Sequence, residues 1–238
     1  ILAREMGVGF RATSGPVIAK AGEQPVVGAD LALSPVMREL EQAILQPLIV
    51  QWLNLEKGRA PFSVVAKEEK LRVSVERLRL DMQVDRIDEL ESGGVVVTDY
   101  KSSRSLKIAA WNVPRFEQPQ LPLYAVQLSH NKKKVAAVMF AQLSPNLVQP
   151  VGLTTDDAIM EGLDVGHTAE EAETVKRYQP NLDTLLPAWE AELKQLAKDY
   201  TAGVAGVLPK SANSCSYCDL KPLCRIDFVE GTLPEASV

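Results

Sequence analysis

The sequence predicts an α/β fold: a mixed central β-sheet flanked by helices, followed by a C-terminal helical extension that contains cysteines. Three observations favour it. The apolar period changes from about four to two at Phe62, a Gly93-Gly94 turn divides the strand-like region, and helical spacing returns over residues 117–130 and after residue 182. The resulting order, three strands, a helix and a further strand with helices on either side, is typical of a mixed sheet covered by helices.

The length and composition indicate one globular domain over residues 1–238. Of the 238 residues, 46% are apolar and 24% are charged, as in ordinary globular proteins. No apolar run approaches the roughly 20 residues of a membrane span, and no signal peptide is visible, so we expect a cytoplasmic protein without a membrane partner. Because the chain begins at Ile1 rather than Met, we expect a C-terminal fragment of a longer protein.

The net charge of −5 excludes a strongly basic nucleic-acid binder but leaves local basic clusters. We interpret the triplet 132–134, three lysines, as a solvated turn. For the series Lys101, Arg104, Lys107 and Arg115, contact with a phosphate backbone and simple solvation both remain open.

Residues 1–60 are predicted to form an N-terminal helical region. Residues 1–33 read as irregular with one short helix, and Ser34-Pro35 is a good helix start. The helix that follows has an apolar stripe with a spacing of four, formed by Leu40, Ile44, Leu48 and Trp52. Pro47 interrupts the pattern and is expected to kink or split the helix.

The predicted core, residues 61–145, contains an antiparallel hairpin of residues 80–90 and 94–101. Asp85 and Asp99 lie at similar distances from its turn, on neighbouring strands. Asp99 and Lys101 are two apart and therefore point to the same face. The register stays open, and a slip of one residue would reverse the faces.

Further elements follow the hairpin. Residues 117–130 read as a helix with Gln120 and Tyr124 on one face, and residues 133–143 as a central strand. The extension, residues 146–238, follows. Within it, residues 145–180 look like an excursion with a helix near 169–177. A long amphipathic helix is then marked by Leu182, Leu185, Leu186, Trp189, Leu193, Leu196 and Tyr200.

The hairpin carboxylates indicate a metal site. Two carboxylates on adjacent strands repel each other unless a cation lies between them, and such oxygen ligands suit Mg²⁺ or Mn²⁺. A lysine on the same face can orient a metal-bound water, so Asp85, Asp99 and Lys101 form a plausible phosphodiester-cleaving set. An Asp-x-Lys triplet alone is common on surface strands, and Arg86, Asp88 and Glu89 crowd Asp85, so that any of them can be read as part of a solvated ion pair.

The joint pattern is more specific. "VDRIDELESGGVVVTDYKS" followed by "PQLPLYA" resembles the nuclease domain of the RecB and AddB type in the PD-(D/E)XK superfamily, over residues 60–143 with the C-terminal cysteines added. "WLNLEKGRAPFSVVAKEE" and "WNVPRFEQPQLPLYA" further resemble a bacterial group of DNA repair proteins. The resemblance implies a restriction-endonuclease-like core in which Asp85 and Asp99 bind the metal, with the backbone carbonyl of Tyr100 as an additional ligand.

The same resemblance implies that Lys101 is the catalytic lysine and that the helix carrying Gln120 and Tyr124 borders the active site and supports placement of DNA. Two features depart from the family pattern. The metal-binding His of an upstream helix is missing, since the chain has only His130 and His167, both downstream. Met82 stands where a Gly is common.

The three cysteines, Cys215, Cys218 and Cys224, form a C-x2-C-x5-C pattern. Clustering and an odd number argue against disulfides and for a metal or cluster site, either zinc with a fourth ligand or an iron–sulfur cluster. The resemblance to AddB-type nucleases implies a [4Fe-4S] cluster whose fourth cysteine lies far upstream. We therefore expect the cluster in the full-length protein, where it staples the C-terminal segment to the N-terminal region and shapes a channel for single-stranded DNA.

Together these features predict a Mg²⁺- or Mn²⁺-dependent DNA nuclease, an exonuclease on single strands that acts with a helicase in repair and recombination. The alternative is a catalytically inactive nuclease-like module that binds DNA or serves as a scaffold in a helicase–nuclease complex. The missing His and upstream Cys favour this alternative for the present chain. A metal-bound regulatory domain unrelated to DNA is a third possibility.

Overall fold

The structure is a computed structural model that describes residues 34–166, 180–206, 209, 215, 218–219 and 221–224. The predictions for residues 1–33, for the helix near 169–177 and for His167 lie outside the described residues. Within the described part no helix is long and apolar enough to cross a membrane.

One six-stranded sheet has its strands in sequence order. The strands β1 to β3 form an antiparallel meander, β3 and β4 are parallel, β4 and β5 are antiparallel, and β5 and β6 are parallel, so the predicted mixed sheet is confirmed. The bounds are β1 Phe62–Val75, β2 Leu78–Leu90, β3 Val95–Lys101, β4 Val135–Ser144, β5 Leu147–Thr154 and β6 Asp164–Val165.

Helices flank this sheet. The first begins at the predicted N-cap, where the Ser34 hydroxyl accepts a hydrogen bond from the backbone N–H of Met37 at 3.3 Å. The second, over part of residues 117–130, crosses from β3 to its parallel neighbour β4. The bounds are α1 Pro35–Glu56, α2 Gln120–His130, α3 Leu182–Thr201 and α4 Lys221–Cys224, with 3₁₀ turns at Ile108–Trp111 and Asp157–Ile159.

Helix α1 differs from its prediction in two ways. It continues through Pro47 as one helix and does not split. Only the C-terminal half of the apolar stripe is buried: Leu48 and Trp52 face the sheet, while Leu40 and Ile44 are 52% and 56% exposed. The apolar periodicity therefore predicted the helix correctly. It did not predict how much of the helix is covered by the sheet.

The two faces of the sheet carry separate apolar clusters. Trp52 of α1 packs on one face with Met139 of β4. On the other face Trp111 lies 5.2 Å from Phe140 and 6.2 Å from Trp189 of α3, ring centre to ring centre, and its carbonyl accepts a hydrogen bond from the Trp189 indole N–H at 3.0 Å. Burial of these large aromatic side chains on both faces of the sheet stabilises the three-layer arrangement.

The central position of β4 is confirmed, because every residue from Val135 to Ser144 is buried. Strand β5, however, falls in residues 145–180, which we expected to be an excursion. Pro150 and Gly152 weaken the strand pattern there. Gly152 is needed for packing, since a Cβ at this position would lie 2.1 Å from the Val138 carbonyl oxygen.

Helix α3 confirms the long amphipathic helix predicted after residue 180. Leu182, Trp189 and Leu193 are buried against the sheet. The predicted stripe is too long at its C-terminal end, where Leu196 is 37% and Tyr200 is 75% exposed. The helix extends past the sheet there, as α1 does at its N-terminal end.

Candidate active site

The hairpin brings the two predicted carboxylates together. The β2–β3 ladder pairs Ile87 with Val97 and Arg86 with Thr98. One residue further along both strands, Asp85 therefore lies opposite Asp99. The backbone N–H of Tyr100 donates a hydrogen bond to Asp85 Oδ2 at 2.8 Å. The register that the sequence left open therefore puts both acidic residues at the same end of the hairpin.

Lys101 lies beside the second carboxylate. Its Nζ is 2.7 Å from Asp99 Oδ2 and donates to Gln120 Oε1 at 3.3 Å. The Asp99 side chain is 1% exposed, whereas that of Lys101 is 35% exposed. The ammonium group is thus held between a buried carboxylate and helix α2 while it remains accessible to solvent.

Gln120 and Tyr124 share one face of α2, as predicted, and form a directed chain of hydrogen bonds. Gln120 Nε2 donates to the Tyr124 hydroxyl at 2.9 Å, and that hydroxyl donates to the Gln83 carbonyl oxygen of β2 at 2.5 Å. Lys101 must therefore donate to the Gln120 oxygen, because the amide nitrogen is already directed to Tyr124. Helix α2 fixes the position of the lysine amine in this way.

These side chains line a cavity of about 970 Å³. The other groups that line it come from β1, β2, β4, α2 and the segment just before α2. They include Glu68, Lys70, Asp81, Met82, Gln118, Pro119 and Leu123. His130 is not among the residues that line it, and its Nε2 instead lies 3.2 Å from Glu190 Oε1 of α3. The downstream histidine is therefore a surface residue, as expected.

Burial of the two carboxylates changes their protonation. Desolvation, followed by the neighbouring charge of Asp85, raises the pKa of Asp99 to about 6, although Lys101 opposes the shift. Desolvation also raises the pKa of Asp85, against the Tyr100 N–H and Lys101, which both favour its ionised form. One lysine therefore does not offset the desolvation of the buried Asp99 carboxylate and the half-buried Asp85 carboxylate.

The oxygen atoms at this site suit a divalent cation that takes only a few of its ligands from the protein. Asp99 Oδ2 is a buried oxygen that contacts the Lys101 amine but has no well-aligned hydrogen bond, so it has the capacity to accept a cation. Within the described ranges, no three His, Cys, Asp or Glu side chains converge to hold an ion. A cation here would rely on Asp85, Asp99 and the Tyr100 carbonyl, with water and substrate phosphate completing its shell, as Mg²⁺ commonly does.

A buried ion-pair network lies next to the site, and the alternative interpretation of Arg86 and Asp88 as a solvated pair is wrong. The Asp88 side chain is 0% exposed and accepts from Arg59 Nη1 at 2.9 Å and from Arg86 Nε at 2.7 Å. Arg86 Nη1 also donates to Glu56 Oε1 at 2.8 Å and to the Tyr100 hydroxyl at 3.0 Å. The network ties α1 to the strand residue whose backbone N–H binds Asp85.

Sequence analysis missed this network because its members are distant in the chain: Arg59 and Asp88 are 29 residues apart. Burial disfavours the Arg86 cation, but Tyr100, Asp88 and Glu56 together hold its pKa above the ordinary value. The alternating charged residues of β2 were the only sign of this network in the sequence. They did not show which face of the strand α1 covers.

Two polar side chains of β4 hold the segment that follows Lys101. Gln142 Nε2 donates to the Ser103 carbonyl at 2.6 Å, and Ser144 Oγ donates to the Ser102 carbonyl at 2.5 Å. Gln142 is 1% exposed and was expected only as part of an apolar strand. These bonds set the direction in which the chain leaves β3.

The basic clusters are at the surface. Arg104, Lys107 and Arg115 of the series after β3 are exposed. In the lysine triplet, Lys133 Nζ lies 3.3 Å from Glu89 Oε1, with both side chains about half exposed, in agreement with a solvated turn.

The cysteines do not form a metal site among the residues that the structure describes. Cys215, Cys218 and Cys224 are partly buried and not in disulfides, and the Cys218 N–H donates to the Cys215 carbonyl at 3.3 Å. No group of three potential ligands is assembled within the described part of the chain. The iron–sulfur cluster stays a prediction.

The mixed six-stranded sheet with helices on both faces is consistent with a restriction-endonuclease-like α/β fold, and the buried Asp99, the half-buried Asp85 and Lys101 lie together at one end of its hairpin. The chain belongs to the PD-(D/E)XK nuclease superfamily, whose family model matches residues 17–225. Membership implies a metal-dependent nuclease with DNA as its binding partner. The RecB or AddB type within that superfamily stays a prediction.

A solved structure titled "Crystal structure of SSO0001" is also similar to this chain. The similarity covers 80% of this chain and 71% of the other, at 18% sequence identity and a TM-score of 0.36.

Proposed function

We propose that the chain is a Mg²⁺- or Mn²⁺-dependent deoxyribonuclease that hydrolyses phosphodiester bonds with water. The observation that carries the proposal is the buried Asp99 carboxylate, which contacts Lys101 and lies on the strand next to Asp85 in a cavity open to solvent. Burying two like charges together is costly for the fold alone, and a cation bound between them offsets that cost.

The residues have separate roles in this proposal. Asp85, Asp99 and the Tyr100 carbonyl would hold the ion, which would lower the pKa of bound water and stabilise charge on a phosphate. Lys101 orients the attacking water and neutralises negative charge that develops on the phosphate. Gln120 and Tyr124 keep the amine in place through the hydrogen-bond chain to β2.

We further propose the RecB or AddB type of activity: exonucleolytic cleavage of single-stranded DNA, with a helicase partner, in repair and recombination. The motif resemblance around Asp85, Asp99 and Gln120 supports this type. Exposed Arg104 and Lys107, directly after the lysine strand, are suited to contact the DNA backbone.

The test compares cleavage of a single-stranded oligonucleotide, labelled at either end, with Mg²⁺, Mn²⁺ or EDTA. We expect cleavage by the wild type with either ion, and loss of cleavage in Asp99→Ala and Lys101→Ala. Glu89→Ala and Lys133→Ala are matched controls, because both residues are half exposed, form an ion pair with each other and do not line the cavity. Equal activity of the wild type and both site variants would remove the assignment.

The second candidate is a module that binds DNA without turnover. The observation that favours it is the absence, among the described residues, of a third protein carboxylate or His at ligand distance. Titration of Mn²⁺ by calorimetry, alongside DNA binding by anisotropy, distinguishes the two. Normal DNA binding with no detectable Mn²⁺ binding supports the inactive module.

We also propose a [4Fe-4S] cluster that uses Cys215, Cys218 and Cys224 together with a fourth cysteine of a longer chain. Thiolates in this spacing suit such clusters. A longer form of the protein should then absorb at about 400 nm and lose that band in Cys218→Ser. A colourless, iron-free preparation of the longer form contradicts the cluster.

A further inference from the structure

Strand β1 is irregular at Glu68. Its backbone has a φ of 50°, in the left-handed region that residues with side chains rarely adopt in a strand. Ala66 and Leu71 are five residues apart, yet both pack against the same apolar cluster. In a regular strand they would face opposite sides, so the change of face occurs around Glu68.

The irregular residue lies level with the first carboxylate of the site. The β1–β2 ladder pairs Lys67 with Arg86 and Glu69 with Val84, so Glu68 lies opposite Asp85. Glu68 lines the same cavity as Asp85 and Asp99. It was not singled out from the sequence, because it stands in a run of four consecutive charged residues, 67–70, with no motif.

The Glu68 carboxylate is only partly satisfied by protein. One oxygen accepts a hydrogen bond from the Gln83 side chain, and the other, Oε1, is buried with no hydrogen-bond partner. Burial, and then the charge of Asp85, raises the pKa of Glu68. Among the described residues, Glu68 forms no ion pair with a lysine, arginine or histidine.

This arrangement is costly without a cation. A left-handed non-glycine residue carries local strain, and Glu68 is the residue of this kind that lines the cavity among those the structure describes. A buried carboxylate oxygen with no donor adds to the cost, as does repulsion from a second carboxylate. A cation in the cavity would reduce both the cost of the unpaired carboxylate oxygen and the repulsion between the two carboxylates.

We propose that Glu68 is a third carboxylate of the cation site and acts on the ion through its shell of water. This inference rests on the proposed function. Direct ligation is excluded as the side chains stand, since no three such groups in the described part converge to hold an ion. Mg²⁺ retains several waters when it binds to protein, and a nearby carboxylate can accept hydrogen bonds from them.

The test is the affinity for Mn²⁺ of Glu68→Gln, measured by calorimetry with the ion alone. The amide keeps the size of the side chain and removes its charge. We expect binding to weaken by about fivefold, as for the loss of one charge acting across a water layer. Glu69→Gln is the matched control, because Glu69 is the next residue, is exposed and does not line the cavity. The affinity of this variant for Mn²⁺ should equal that of the wild type.

Thermal unfolding gives a readout that a structural role would not produce. In EDTA, Glu68→Gln should melt at or above the wild-type temperature, because repulsion from Asp85 is removed. Addition of Mn²⁺ should raise the melting temperature of Glu68→Gln by less than it raises that of the wild type. Unchanged Mn²⁺ affinity, or an equal loss of melting temperature with and without the ion, overturns the inference.

The two levels of proposal fail differently. If the wild type binds no Mn²⁺, the proposed metal-dependent function fails together with its cation site. If the wild type binds Mn²⁺ and cleaves DNA, but Glu68→Gln binds the ion as tightly, only the role of Glu68 is wrong.

Discussion

Replacing Asp99 by Asn should stabilise the metal-free protein at alkaline pH while it abolishes cleavage. Asp99 is 1% exposed, and its pKa rises from the ordinary 3.8 to about 6, chiefly through desolvation and then through Asp85. Each pKa unit corresponds to about 1.4 kcal/mol. The ionised side chain therefore costs the metal-free fold about 3 kcal/mol above pH 6.

The sign of the pH dependence follows from proton binding. Between about pH 4 and 6 the folded protein holds a proton on Asp99 that the unfolded chain has released. The contribution to stability is full below the unfolded pKa and is lost as the pH rises through the folded pKa. Asn never ionises, so its advantage grows over the same window.

The expected net effect is smaller than the full electrostatic cost. The Asn amide would be buried without an evident acceptor, which costs about 1 kcal/mol. We therefore expect Asp99→Asn to raise the free energy of unfolding by about 1–2 kcal/mol at pH 8 and to leave it nearly unchanged at pH 4.5.

Urea unfolding in EDTA at these two pH values, monitored by tryptophan fluorescence, measures both differences. Titration of groups far from Asp99 contributes equally to both proteins and cancels, whereas loss of the Asp99 charge also removes its repulsion of Asp85 and so acts in the same direction as the predicted stabilisation at pH 8. A variant that is less stable than the wild type at pH 8, or one whose difference is the same at both pH values, would refute the reasoning.

Three further predictions concern neighbouring contacts. Lys101→Met should lower the rate of DNA cleavage by about 100-fold or more while Mn²⁺ binding persists; an unchanged rate in single-turnover assays contradicts its role. Tyr124→Phe removes two hydrogen bonds and should lower the free energy of unfolding by about 1–2 kcal/mol in urea, so no change would show that the chain from Lys101 to β2 contributes nothing. Arg59→Met leaves Asp88 with one buried partner and should cost about 3 kcal/mol by the same measurement; a neutral result would mean that Arg86 alone satisfies Asp88.

The hairpin and its carboxylates were predictable because local signals agree there. Gly93 and Gly94 have φ values of 89° and 94°, which favour glycine, so the turn could be placed from sequence. With the turn fixed, equal distances along the strands brought Asp85 and Asp99 together. Helical spacing likewise placed Gln120 and Tyr124 on one face.

Other parts of the site depend on contacts between distant segments. The burial of Asp88 depends on Arg59, which becomes its partner only when α1 covers the sheet. Glu68 reaches the cavity through a left-handed backbone that no sequence motif announces. Strand β5 was missed because Gly152, a weak strand residue, is required by the close approach of Val138 across the ladder.

The account depends most on a divalent cation bound between the two strands of the hairpin. Anomalous diffraction from crystals of the protein soaked in Mn²⁺ tests this directly. We expect one strong anomalous peak in contact with the carboxylates of Asp85 and Asp99 and with the Tyr100 carbonyl, and its loss in Asp99→Asn. No peak in this cavity at saturating Mn²⁺, or a peak that persists unchanged in the variant, would contradict the claim.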